Sequence, residues 1–227
     1  MNVIFESKLR KTFNKIIKEE RRENLDYIET KAKGVVTKLT VHLTGSSADK
    51  VNRLVEAIEN TRNQIDELTT VQKSLTDEAK GYSQTLFDEA DKIYSRIVET
   101  NKATITFSKV VPKIDHKEDR DDKKAEKLIN DILSLLIDQQ DELSKSIVEM
   151  IKACDWIKKY DEVKIPAEKV TTKSVVQEGV VEFTKDLIRK IKSKVSATVK
   201  KIKTYIEDFD SIQKRIDTKI DTLSEMV

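Results

Sequence analysis

The sequence predicts a mainly α-helical protein, with long coiled-coil-type helices and a small two-stranded β element at residues 35–43 and 103–111. Three observations predict it. Charged residues make up 37% of the chain, well above the roughly 25% of an average globular domain. Four glycines and two prolines in 227 residues leave few turn formers, against an average near 12% for the two together, so the elements must be long. Apolar residues also recur at alternating steps of three and four over tens of residues, the pattern of a helix-packing seam. Long helices have much surface for little interior, and the charge covers that surface.

Residues 3–32 are expected to form a first helix, with Phe5, Leu9, Phe13, Ile16 and Ile17 at helical spacing and Gly34 as its terminator. Residues 35–43 then alternate, Val35, Leu39, Val41 and Leu43 against Val36, Lys38, Thr40 and His42, which predicts a half-buried strand. The following TGSSADK segment supplies Ser46 or Ser47 as a helix N-cap. From Val51 to Leu86, nine of eleven seam positions are apolar, which marks the clearest helix in the chain. Its packing residues are Leu54, Ile58, Ile65, Leu68 and Leu75, interrupted by Thr61 and Gln72, and Gly81 is expected to break the rod.

Residues 103–111 alternate again, Ala103, Ile105, Phe107 and Val111 against Thr104, Thr106 and Ser108, and Pro112 closes this second strand. The charge-dense stretch 113–124 reads as a linker. A helix over 122–160 follows, with Leu136, Leu143 and Ile147 in a seam that Gln140 alone interrupts. Cys154 lies in that row, as a small buried hydrophobe and not a nucleophile. After a break at 163–173 around Pro166, a last helix over about 175–225 packs through Ile191, Val195, Ile202, Phe209 and Ile216, with Thr198 and Lys219 as polar interruptions. Fifty helical residues span about 75 Å, so this helix must bend or protrude. The organisation expected is an N-terminal helix with a strand, helical hairpin and strand over 1–112, the linker at 113–124, and a long helical hairpin over 125–227.

The residues argue against catalysis. His42 and His116 stand far apart, neither at metal-ligand spacing with a second His or Cys. No glycine-rich phosphate loop or nucleophile elbow occurs. Asp119, Asp121 and Asp122 are neutralised by Lys117, Arg120, Lys123 and Lys124. We therefore expect no catalytic, metal or cofactor site and no cofactor. A net charge of +2 favours no partner class. No apolar run approaches the ~20 residues of a membrane span, no signal-peptide pattern is seen and a single Cys fits a reducing compartment, so a cytoplasmic protein is expected. One charged stretch stands out. Arg189, Lys190, Lys192, Lys194, Lys200, Lys201 and Lys203, with Lys185, are opposed only by Asp186. Such a helix face suits a phosphate backbone or an acidic partner helix. No aromatic lies between Phe183 and Tyr205, so base stacking is not expected from this stretch.

Residues 41–113 resemble a group of small bacteriophage proteins of unknown function. The likeness rests on Leu43, Thr44 and Gly45 before a helix, on Leu86, Phe87 and Asp88 at a turn, on the segment Arg96, Ile97, Val98, Glu99 and Thr100, and on a closing Ser108 and Lys109. It covers about a third of the chain. The layout is also similar to that of phage Gam-type nuclease inhibitors, which bind DNA ends as coiled-coil dimers, though no residue is matched to them. The resemblance implies a phage origin, in host cytoplasm or virion, and a binding or structural role. The function expected is that of a non-enzymatic assembly or interaction protein, such as a virion component, scaffold or adaptor, acting through coiled-coil packing with itself or other helical proteins. The alternative is a nucleic-acid-binding accessory protein using the basic face at 185–203. A membrane partner is not expected.

Overall fold

The computed structural model describes residues 22–114, 119–168 and 174–227. Helix α1 covers 22–37, followed by a 3-10 turn, Lys38–Val41. Then come α2 (Gly45–Ser74), the short α3 (Asp77–Tyr82), α4 (Gln84–Val110), a 3-10 turn Val111–Lys113, α5 (Asp119–Glu168), α6 (Ser174–Tyr205) and α7 (Phe209–Ser224). The protein is mainly α. No strand occurs among the described residues. The expected helix before residue 22 and His116 fall outside them.

Side-chain contacts give the path of the chain. Arg22 Nη2 reaches Asp66 at 2.8 Å, and Lys33 Nζ reaches Glu59 at 2.6 Å, so α1 runs antiparallel to α2. Thr61 Oγ1 donates to Gln140 at 3.2 Å and Ser144 Oγ donates to Gln64 at 2.7 Å, so α2 and α5 run in the same direction. Gln139 Nε2 donates to the Phe209 carbonyl at 3.4 Å and Lys219 pairs with Asp131 at 2.8 Å, so α7 runs against α5. Lys201 also reaches Glu149 at 3.0 Å, so α6 runs against α5 as well, and α7 continues in the direction of α6 after the turn at 206–208.

Two hydrophobic clusters fill the bundle. One holds Ile65, Leu68, Ile93, Ile97, Leu143, Ile147, Ile191 and Ile202. The other holds Val36, Leu39, Leu54, Phe107, Leu133, Leu136, Ile216 and Leu223. Both draw on residues before and after the 113–124 segment. Every one of the thirteen seam residues named from the sequence is buried within this single chain.

Between the clusters lies a layer of buried polar groups. Gln140 Nε2 donates to Asn101 Oδ1 at 3.0 Å while its Oε1 accepts from Thr61. Thr100 Oγ1 donates to Gln139 Oε1 at 3.2 Å. Thr61 and Gln140, two of the polar residues that interrupt the seams, therefore meet each other. The same layer marks the break in the last helix. Arg96 Nη1 donates to the Ile206 carbonyl at 3.4 Å, which also accepts from the Phe209 N–H, and Gln139 Nε2 donates to the Phe209 carbonyl, so side chains of α4 and α5 hold the backbone where the chain turns at 206–208. The expected 50-residue rod is thus two helices, α6 and α7.

Both expected strands are corrected to helix and turn. In 103–111 the buried set includes Thr104 and Ser108 together with Thr100, Ala103 and Phe107, which is helical spacing. Thr104 Oγ1 donates to the Thr100 carbonyl at 2.9 Å and Ser108 Oγ to the Thr104 carbonyl at 2.8 Å. A hydroxyl satisfied by its own helix can face the core, so Thr104 and Ser108 of the apparent polar face are buried while Thr106 stays exposed. In 35–43, Val36 and Leu39 are buried with Ala32, again at helical spacing, while Val41 is exposed. Gly34 sits inside α1 and does not end it. The N-cap of α2 is Thr44, and Ser46 and Ser47 lie in its first turn. Helix α5 begins at Asp119, inside the expected linker, and runs past Pro166, which occupies its last turn.

Candidate nucleic-acid interface

Amphipathic spacing on α6 turns Ile191, Val195 and Ile202 into the bundle and leaves the lysines outside. Lys185, Arg189, Lys190, Lys192, Lys194, Lys200, Lys201 and Lys203 are all exposed. Arg189 pairs with Asp186 one turn back. Lys185, Lys190, Lys200 and Lys203 take no acidic partner among the described residues.

The neighbouring face of α5 completes the surface. Lys201 Nζ lies 3.0 Å from Glu149 Oε2, and Lys152 Nζ lies 2.9 Å from Glu149 Oε1. Hydrogen bonds from Lys152 and then Lys201 hold the Glu149 carboxyl below its usual range, and Glu149 in turn raises Lys201. One heptad along, Lys194 Nζ stands 5.1 Å from the centre of the Trp156 ring, and Lys159 Nζ stands 5.0 Å from it. The two rungs, Glu149 with Lys201 and Trp156 with Lys194, are seven residues apart on both helices, or about 10.5 Å. They fix α5 and α6 as an antiparallel pair.

Trp156 is 39% exposed. It supplies the aromatic that the lysine stretch lacks in sequence. The sequence signal was faint: Trp156 stands next to the seam residue Ile157, hence one step off the buried row, but nothing local says which lysines it meets.

Elsewhere the arrangement offers little chemistry. A cleft of about 740 Å³ between α3, α4 and α6 is lined by Asp77, Gly81, Thr85, Lys192, Val195 and Ser196, with no convergent nucleophile and base. Among the described residues no group of His, Cys, Asp or Glu gathers that could hold a metal ion. Cys154 is buried, and burial pushes its thiol up to about 12. His42 is exposed on the turn before α2. No helix among the described residues is long and apolar enough to cross a membrane.

No family model, no curated protein and no solved structure matches this chain.

Proposed function

We propose that this chain is a non-enzymatic helical interaction protein that works through the lysine-rich α5–α6 side, with a nucleic acid as its partner. The observation that carries the reading is the division of the residues: the apolar seams are consumed inside the bundle, and the cations of α6 remain outside, several of them unpaired. A row of ammonium groups at helical spacing follows a phosphate backbone and displaces its counterions. The reading predicts duplex binding that is independent of base sequence and falls steeply with salt.

The test is a titration with duplex DNA at low ionic strength, repeated along a salt series. Replacing Lys190 and Lys194 by Gln should lower the slope of log affinity against log salt by up to about 1.8, at ~0.9 per lost phosphate contact. Absence of binding to any nucleic acid, duplex or single-stranded, at low salt, where the attraction is strongest, sinks the reading.

A second reading, a phage virion component, scaffold or adaptor for an acidic helical partner, is favoured by one contact. Lys201 already takes a carboxylate from a neighbouring helix, Glu149. The likeness of residues 41–113 to small phage proteins leans the same way. Failure of the DNA titration leaves this reading in place, with host cytoplasm or virion as its setting.

A further inference from the structure

Trp156 is the only tryptophan of the chain, and its position asks for an explanation. A large indole left 39% exposed on a charged surface is not there to fill the core. Two ammonium groups, Lys159 from its own helix and Lys194 from α6, stand over the ring at 5.0 and 5.1 Å from its centre and hold its face as cation-π contacts. We infer that this surface binds single-stranded nucleic acid, a base stacking on the Trp156 ring in place of an ammonium group while Lys159 and Lys194 swing to the phosphates that flank it. The inference rests on the nucleic-acid reading above and adds the state of the strand.

Three arguments select this partner. Every base has a flat π-face, so a ring flanked by cations takes a base and its phosphates together, without regard to sequence. Duplex DNA keeps those faces stacked on one another and presents only base edges in its grooves, so it would use the lysines and leave the ring idle. An anionic membrane would need an apolar face to bury, yet the other exposed large hydrophobics among the described residues, Tyr27, Val41 and Val227, lie outside α5 and α6. Lys190, one turn from Lys194 and unpaired, extends the phosphate track along α6, and the Lys152 and Lys201 pair on Glu149 marks its other end.

Because there is one tryptophan, its fluorescence reports this site alone. The full chain is titrated at low salt with a short oligothymidylate, with a duplex of mixed sequence, and with vesicles of anionic phospholipid. We expect the oligothymidylate to quench the emission and to bind more tightly than the duplex. Trp156→Ala, with its fold checked by circular dichroism, should bind the oligothymidylate on the order of 10- to 100-fold more weakly and the duplex as before. Trp156→Phe should recover part of the loss. Equal affinity for both nucleic acids, unchanged by Trp156→Ala, overturns the single-strand inference and leaves the phosphate-binding reading standing. No binding to either nucleic acid overturns both. Binding to vesicles with a blue-shifted emission, and to neither nucleic acid, also overturns both and makes the surface a lipid contact.

Discussion

Glu29 is buried to 1% exposure beside the apolar row Leu25, Ile28, Ala32 and Val36, and neither carboxyl oxygen has a hydrogen-bond partner. Loss of hydration pushes its pKa up to about 8, against the attraction of Arg62 on α2 and with help from Asp26 and Asp66; Lys33, paired with Glu59, lines the same small cavity. The folded protein therefore keeps this proton where the unfolded chain, near 4.5, has released it. The stabilisation tied to protonated Glu29 is fully present below about pH 4.5 and is lost as pH rises through 8. Glu29→Gln cannot ionise, so its urea-unfolding free energy should fall less than wild type between pH 5 and 8, the two diverging by ~2–4 kcal/mol. Parallel pH profiles for the two proteins would show that Glu29 finds a partner or water when charged. Nothing in the sequence marks this residue among the 41 acidic ones. It sits at the edge of a helical stripe, and only the approach of α2 decides that the edge is covered. The same holds for Trp156, whose cationic neighbour Lys194 is 38 residues away and arrives through the register of two helices.

At the scale of elements, the seams were legible and their polar interruptions half legible. Steps of three and four located α2, α5, α6 and α7 because burial on a helix follows that period. The strand at 103–111 was misread because Thr104 and Ser108 were placed on a solvent face; inside a helix their hydroxyls bond the carbonyl four residues back and enter the core. At 35–43, by contrast, Thr37 and Thr40 stay exposed, and the burial of Ala32, Val36 and Leu39 follows helical spacing. Thr61 and Gln140 stood out as breaks in apolar rows, but their meeting could not be seen, nor could the contribution of Thr100 and Asn101 from a segment adjoining an expected strand. Gln72 took another path: it is half-buried in the last turn of α2, where its carbonyl accepts from the Leu75 N–H. The Thr61, Asn101 and Gln140 trio ties three helices at one level and so sets their register, as buried polar groups do in coiled coils. Gln140→Leu leaves Asn101 Oδ1 facing an apolar group and the Thr61 hydroxyl with only its bond to the Ala57 carbonyl at 2.9 Å, and should destabilise the bundle by about 1–3 kcal/mol. The triple variant Thr61→Val, Asn101→Leu, Gln140→Leu removes the polar side-chain groups of the trio together and should recover most of that loss. Chemical denaturation of the single and triple variants checks the pair of outcomes, and a triple variant weaker than the single one would mean that shape, not polarity, governs this layer.

For the whole molecule, the question is what remains for partners once the chain has folded. Three seams of nine to eleven positions exceed what isolated helices can cover, and on that ground self-association is the natural expectation from the sequence. The expectation had one escape, that all the helices fold back together, and this is the arrangement the chain adopts. Leu54, Ile65, Leu143, Ile202 and Ile216 lie on four different helices, and each is at most 4% exposed without any second copy. A coiled-coil partner would have to displace one of the chain's own helices, exposing an apolar stripe at ~25 cal/mol per Å², before gaining an equivalent contact. Among the described residues, the large hydrophobics that stay outside, Tyr27, Val41, Trp156 and Val227, are scattered over α1, the turn after it, α5 and residue 227, and single exposed apolar residues do not make an interface. The outer surface is instead dominated by charge, with 43 basic against 41 acidic residues, and like-charged lysine faces on two copies repel. We therefore expect the free protein to sediment as a monomer of about 26 kDa at micromolar concentration, and to gain mass when the lysines of α6 meet their partner. Sedimentation velocity in the presence and absence of oligonucleotide distinguishes the cases. A dimer in the absence of any partner, insensitive to salt and retained by Lys190→Gln/Lys194→Gln, would mean that the helices exchange between copies and that the seams serve assembly after all.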